Sequence, residues 1–116
     1  MTEETLFRTM LFDFYGELLT AKQKEYFDLH YNADYSLGEI AEMTGISRQG
    51  VWDIIKRAEE TLRRTEEKTG LIRRFRENQD VVAEMEATIS RLLQHTDGKA
   101  RALAEELSVS LEKLKG

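Results

Sequence analysis

The chain contains no proline in its 116 residues, and this absence constrains its fold more than any other feature. Proline removes a backbone donor and breaks helices from within, so a chain without it can form long uninterrupted helices. Apolar residues recur three and four positions apart along most of the sequence, which is the periodicity of amphipathic helices. The sequence therefore predicts an all-α fold.

Length and composition narrow the class of protein further. A single core usually occupies about 100 to 150 residues, so this chain fits one domain with a short helical appendage. Charged residues make up 34% of the sequence, and its longest apolar run is far shorter than the roughly 18 residues a membrane span requires. Residues 1–4 are acidic where a secretory signal would be basic. We therefore expect a cytoplasmic protein without a membrane span.

Nothing in the sequence has the spacing of a catalytic or metal site. The chain has no cysteine, and its two histidines, His30 and His95, are isolated. Paired acids such as Glu59 and Glu60 lie in charged helical stretches and are interpreted as solvated faces. There is no glycine-rich phosphate loop and no nucleophile beside a base. The sequence predicts a protein that is not an enzyme, with no catalytic residue, metal or cofactor.

Local capping signals divide the N-terminal half into four helices. We expect a broad apolar helix over residues 3–18, because its aromatic residues spread around more than one face. Thr20 with Gln23 and Ser36 with Glu39 each form a capping-box pattern, which predicts helices that begin at the following residues. Ser47 is expected to cap a fourth helix that runs to about residue 69.

Residues 36–58 have the pattern of a helix-turn-helix. This motif needs a small residue where its helices cross and a permissive residue in the turn, and Ala41 and Gly45 occupy those positions. Ile46 fills the corner, while Val51 and Ile54 are expected to pack the second helix onto the first. The sequence therefore predicts a helix-turn-helix, within the winged-helix-like superfamily but with no evident wing.

The outward face of the second helix is the candidate nucleic-acid contact. The net charge is −5, yet residues 44–64 hold five basic and three acidic side chains. Arginine and glutamine can read base edges, while lysine and arginine neutralise phosphates. Two positions have alternative interpretations. Trp52 either covers the flank of the core or contacts nucleic acid by stacking, and Gly50 allows the close approach of either DNA or another helix. The predicted nucleic-acid-binding residues are Ser47, Arg48, Gln49, Trp52, Lys56 and Arg57.

Residues 71–116 are predicted to form a C-terminal helical segment, separate from an N-terminal domain of residues 1–70. Its first helix carries a heptad seam, in which apolar residues alternate four and three apart and predict a helical partner. Residues 94–99 interrupt the helix, and residues 108–110 are a possible second break. We expect a homodimer; the alternative is that these faces pack within one chain. The seam comprises Leu71, Phe75, Asn78, Val82, Met85, Ile89 and Leu92.

Residues 19–64 resemble region 4 of sigma-70-type transcription factors, notably in the sequence Gly45-Ile46-Ser47. Across nearly the whole chain the sequence is similar to the YlxM family of helix-turn-helix proteins from Gram-positive bacteria. The residues that carry this likeness lie in three stretches, namely 11–20, 26–31 and 46–51. The resemblance implies a link to the signal recognition particle protein-targeting pathway.

Two functions follow from these observations. The first is a regulatory protein that binds DNA or the signal recognition particle RNA through its helix-turn-helix. The alternative is an accessory factor that binds the signal recognition particle GTPase by protein contacts, without direct nucleic-acid binding. A fold alone does not choose between them.

Overall fold

The computed structural model describes residues 2–115. Within this range the chain forms six α-helices and no strand, which confirms the all-α prediction. None of the helices in residues 2–115 is both long and apolar enough to cross a bilayer. The helices are α1 (Glu3–Tyr15), α2 (Ala21–Phe27), α3 (Leu37–Thr44), α4 (Arg48–Thr69), α5 (Leu71–Gln94) and α6 (Gly98–Leu114).

The capping residues expected from the sequence begin the helices. In both capping boxes the cap hydroxyl, of Thr20 or Ser36, accepts a hydrogen bond from the backbone N–H three residues later. The side chain of that later residue, Gln23 or Glu39, accepts one from the backbone N–H of the cap residue. Ser47 Oγ accepts from the Gly50 amide at 3.0 Å and caps α4. Gly45 and Gly70 end α3 and α4 in the left-handed conformation, with φ of 76° and 62°. Such conformations favour glycine because they place no Cβ against the backbone.

The end of the first helix differs from the sequence prediction, and the winding changes after the second helix. The first α-helix stops at Tyr15 instead of continuing to residue 18, and a 3-10 turn, Gly16–Leu18, follows it. This tighter turn is followed by Leu19, which is buried in the core. After α2, a π-helical turn, Asp28–Asn32, precedes the loop to α3. The sequence pattern predicted neither the 3-10 turn nor the π-helical turn, because both depend on packing.

The chain divides into two compact units, residues 1–72 and residues 73–116. In the first unit α4 is the central helix and contacts α1, α2 and α3. One continuous apolar cluster forms its core. The buried members of that cluster are Leu11, Tyr15, Leu19, Tyr26, Phe27, Ile40, Val51, Ile55, Ala58, Leu62 and Ile72.

The second unit contains most of α5 together with α6. Ala104 and Leu111 are its buried apolar side chains, whereas Leu103 and Leu107 on the same helix are more than half exposed. The helix α6 continues without interruption through residues 108–110, so the possible break there does not occur. Between the two helices, Arg101 Nη1 donates to the Leu93 carbonyl at 2.6 Å.

Candidate nucleic-acid interface

The α3–turn–α4 segment has the geometry of a helix-turn-helix. Ile40 of α3 and Val51 of α4 are both fully buried, and Ala41, Ile46 and Ile54 pack against the same core. The left-handed Gly45 reverses the chain between the two helices. The packing expected from residues 36–58 is therefore present, and it leaves the opposite face of α4 in solvent.

Gly50 is explained by the turn itself. A Cβ placed on Gly50 would lie 2.8 Å from Ile46 Cγ2 and 3.2 Å from Ser47 Oγ. The corner residue Ile46 thus occupies the space that any larger side chain at position 50 needs. Neither DNA nor a second helix is required to account for this glycine.

The two residues at the start of α4 differ in what they already contact. Ser47 Oγ is used as the helix cap, although its hydroxyl proton can still donate. The Arg48 guanidinium lies over Gly38 of α3, where a Cβ would be 3.1 Å from Nε and from Nη2. Arg48 is exposed and forms no ion pair among the described residues. Its guanidinium therefore lies at the junction of the two helices without an ion-pair partner among the described residues.

Gln49 and Asp53 lie one turn apart on the exposed face of α4. Gln49 Nε2 donates to Asp53 Oδ1 at 3.0 Å. This hydrogen bond occupies one donor of the amide and partly satisfies the carboxylate. A base edge that pairs with Gln49 would therefore compete with Asp53 for that donor.

Basic side chains without ion-pair partners are concentrated on α4. Residues 2–72 contain nine lysines and arginines, and three of them, Arg8, Lys24 and Arg63, form ion pairs. The other six form none within the described residues, and five of these six belong to α4. Those five are Arg48, Lys56, Arg57, Arg64 and Lys68.

Arg63 belongs to an ion-pair network that joins α1 to α4. Arg8 Nε donates to Glu59 Oε1 at 2.9 Å, and Arg63 Nε donates to Glu59 Oε2 at 3.0 Å. Arg63 also pairs with Glu4. Partial burial would raise the pKa of the Glu59 carboxyl, but hydrogen bonds and charges from the two arginines more than offset it, so this pKa is lowered. Arg63 is therefore occupied by internal contacts.

Trp52 lies on the flank of α4 that faces α1 and the π-helical turn. It is half-buried and packs against the core, which agrees with the packing interpretation. Its ring also lines a cavity of about 280 Å³ together with Arg8, Tyr31, Lys56, Glu59, Glu60 and Arg63. The sequence did not indicate the contributions of Arg8 and Tyr31, because these residues are distant from α4 along the chain and carry no local motif.

The outer surface of α3 is acidic. Glu39 is exposed, and hydrogen bonds from the Ser36 backbone and hydroxyl lower the pKa of its carboxyl. Glu42 and Met43 are exposed beside it, and with Tyr35 and Glu39 they line a shallow cavity. Acidic side chains here disfavour phosphate close to α3, so contacts with nucleic acid would be made mainly by α4.

A short helix joined at a left-handed glycine to a longer one that carries exposed cations defines a helix-turn-helix protein of the all-α class. Comparison with known sequences agrees with this geometry. The chain belongs to the UPF0122 family, described as "Putative helix-turn-helix protein, YlxM / p13 like", whose profile matches residues 2–101.

Similar proteins occur in several bacteria. A UPF0122 protein of Thermoanaerobacter sp. (strain X514) is 44% identical over 115 residues, covering 98% of each chain. A UPF0122 protein of Listeria welshimeri is 44% identical over 115 residues, covering 99% of this chain and 97% of the relative. One from Caldanaerobacter subterraneus subsp. tengcongensis is 56% identical over 77 residues, or 66% of each chain.

Proposed function

We propose that this protein is a nucleic-acid-binding regulator, and not an enzyme, which binds DNA or RNA through the exposed face of α4. The observation that supports this proposal is the concentration of unneutralised cations on that helix. Carboxylates neutralise Arg8, Lys24 and Arg63 elsewhere in the first unit. When unpaired surface cations contact the phosphates of a nucleic acid, the counterions condensed on that nucleic acid are released, which favours binding.

Each predicted residue has a distinct part in this proposal. Lys56 and Arg57 are exposed and would neutralise phosphates. The Arg48 side chain would move away from Gly38 and contact a phosphate or a guanine edge. Gln49 would release its hydrogen bond to Asp53 and form hydrogen bonds with an adenine edge instead. Ser47 would donate its hydroxyl to the backbone of the nucleic acid. Trp52 is half-buried and would contact the ligand with the part of its ring that the core leaves uncovered.

The pathway is proposed from the resemblance to the YlxM family. It implies a link to the protein-targeting pathway, so the candidate ligands are DNA and the signal recognition particle RNA. A fluorescence-anisotropy titration of labelled duplex DNA and of this RNA, over a series of salt concentrations, tests the proposal. We expect affinity to fall as salt rises, with a log–log slope proportional to the number of phosphates neutralised.

Variants identify the binding face in the same assay. Arg57→Ala should weaken binding and reduce the salt slope by about one, the loss of one phosphate contact. Arg48→Ala should also weaken binding. The matched control is Lys68→Ala, since Lys68 is an exposed, unpaired cation on the same helix, about 16 Å beyond Arg57 at 1.5 Å per residue. Equal affinity and slope for wild type and Arg48→Ala would show that the assigned face is wrong.

A second candidate function is a protein-interaction accessory factor of the signal recognition particle GTPase. The exposed apolar side chains of the second unit favour it, because large apolar patches on a surface commonly mark interfaces. Binding of this kind should survive high salt. Pull-downs with the GTPase, performed with and without RNA, test it, and negative results under both conditions would exclude it.

A homodimer is proposed on the same exposed surface. In α5 the seam residues Phe75, Met85 and Leu92 are exposed, and Val82 and Ile89 are half-buried. A second copy of the chain would cover this seam. In a helix-turn-helix dimer, the two recognition helices then bind two half-sites related by the dimer axis.

A further inference from the structure

We infer that the cavity between α1, the π-helical turn and α4 binds one unpaired nucleotide, with its base on Trp52 and its phosphate at Lys56. The inference rests on the proposed nucleic-acid binding and specifies the form of nucleic acid that is preferred. The cavity has a volume of about 280 Å³. This lies at the lower limit of the roughly 300 to 1,000 Å³ typical of small-molecule sites, which suits a single base.

Trp52 is the stacking surface that remains available in this cavity. The other aromatic ring that lines it, Tyr31, is already covered: the Arg8 guanidinium lies 4.2 Å from the Tyr31 ring centroid. The rings of Phe27 and His30 lie 4.8 Å from it. Trp52 has neither a ring nor a cation partner within residues 2–115. A base that enters the cavity can therefore stack on the Trp52 ring.

The charges around the cavity suit a base that carries a phosphate. Glu59 is neutralised by Arg8 and Arg63, so it does not repel an anion. Lys56 borders the cavity, is exposed and has no ion-pair partner among the described residues. It can therefore bind the phosphate. Glu60 is also exposed at the border, and its carboxylate can accept from an amino group of the base.

Stacking on Trp52 favours a base that lies outside a duplex. In a duplex both faces of each base are covered by its neighbours, so a base must leave the stack before it can lie on Trp52. Bases in RNA loops, bulges and strand ends are already unstacked, and proteins recognise them on aromatic rings. Lys56 belongs to both the cavity and the exposed face of α4. A strand bound along α4 could thus place one unpaired nucleotide in the cavity.

The intrinsic fluorescence of the protein tests this inference directly, because Trp52 is the single tryptophan of the chain. The full chain is titrated with an RNA hairpin that has a short single-stranded loop, and with a blunt duplex of the same stem. Adenosine and guanosine monophosphate form a third arm, which separates a free nucleotide from one within a strand. We expect the hairpin to quench Trp52 emission and to bind about tenfold more tightly than the duplex.

Substitutions at position 52 separate stacking from packing. Trp52→Leu keeps apolar volume against the core but removes the stacking ring, and it should weaken hairpin binding about tenfold, with a smaller loss of duplex binding. Trp52→Phe retains an aromatic ring and should retain most of the hairpin affinity. Thermal unfolding followed by circular dichroism verifies that both variants are folded. If Trp52→Leu does not fold, quenching of the wild-type protein and the Trp52→Phe affinity still decide the question.

The outcomes distinguish this inference from the proposed function. Equal, salt-dependent binding of hairpin and duplex with unchanged Trp52 emission would overturn the nucleotide site and leave nucleic-acid binding intact. Quenching by the monophosphates but not by the hairpin would show a site for a free nucleotide and overturn the link to strand binding. Absence of binding to every probe would overturn both proposals.

Discussion

Two glycines within the helix-turn-helix differ in what surrounds them, and alanine should therefore affect the stability in opposite ways at the two positions. At Gly50 a Cβ would lie 2.8 Å from Ile46 Cγ2, which is closer than real contacts allow. Alanine gains up to about 1 kcal/mol of helix propensity over glycine, but overpacking typically costs about 1–3 kcal/mol. We expect Gly50→Ala to lower the free energy of unfolding, measured by urea denaturation.

A double-mutant cycle tests whether Ile46 is the cause. Ile46→Ala removes Cγ2 and leaves room for the added methyl group. In that background, Gly50→Ala should no longer destabilise the protein and should show the propensity gain instead. An unchanged cost in the double mutant would show that another contact makes Gly50 necessary.

Gly38 differs from Gly50 because its neighbour is the flexible Arg48 side chain, whereas Gly50 lies against Ile46. Its added Cβ would meet the Arg48 guanidinium at 3.1 to 3.2 Å, and this end of a long, exposed side chain can move away. We expect Gly38→Ala to raise the free energy of unfolding by up to about 1 kcal/mol, the propensity difference between alanine and glycine. Urea denaturation measures it. A fall in stability would mean that the position of Arg48 over α3 is itself stabilising.

Between helices, the ion-pair network of Arg8, Glu59 and Arg63 adds polar contacts to the apolar core that α1 and α4 share. The folded-state pKa of Glu59 is lowered, so its ionised form stabilises the fold above the unfolded pKa of about 4.3, and this contribution is lost as pH falls through the folded pKa. Glu59→Gln should reduce stability at neutral pH by about 1–2 kcal/mol, below the cost for a fully buried pair because the network is partly solvated.

The pH dependence provides the specific readout for that prediction. Unfolding free energies measured from pH 7 to pH 3 should show a shallower acid-induced decline in Glu59→Gln than in the wild type. Part of the decline should remain, because the pKa of the Glu39 carboxyl is lowered by its capping hydrogen bonds. Glu60→Gln, at the neighbouring exposed carboxylate, is the matched control and should change neither stability nor slope.

At the scale of the whole molecule, the second unit exposes more apolar side chains than it buries. Its exposed large apolar residues include Phe75, Val81, Met85, Leu92, Leu103, Leu107, Val109 and Leu114. We expect light scattering at tens of micromolar to give twice the mass of one chain. A charge at one of these residues, Leu107→Glu, should shift the mass to that of a monomer, because an interface disfavours an unpaired buried charge.

Leu18→Glu is the matched control for the dimer, since Leu18 is an equally exposed leucine in the first unit, at 63%. It should leave the dimer intact. A monomeric wild type would contradict the homodimer. A dimer disrupted by Leu18→Glu but not by Leu107→Glu would place the interface on the apolar N-terminal segment instead of on α5 and α6.

Most features that depend on neighbours along the chain could be predicted from the sequence. The absence of proline and the three-four periodicity predicted the helices, and hydroxyl residues such as Thr20, Ser36 and Ser47 predicted where they begin. Gly45 marked the turn at which one of them ends. These signals can be read from sequence because capping bonds and turn conformations join residues only three or four positions apart.

The tertiary structure decided the features that depend on distant residues. Packing places the end of α1 at Tyr15, and the Ile46 side chain leaves no room for a Cβ at Gly50. Arg63 forms ion pairs with Glu59 and Glu4. The tertiary structure also placed Arg8 and Tyr31 beside Trp52 to form the cavity, although Arg8 is more than forty residues away in the chain. The periodicity of a helix gives the direction in which each side chain points from that helix. The residue that this side chain contacts depends on how the helices pack.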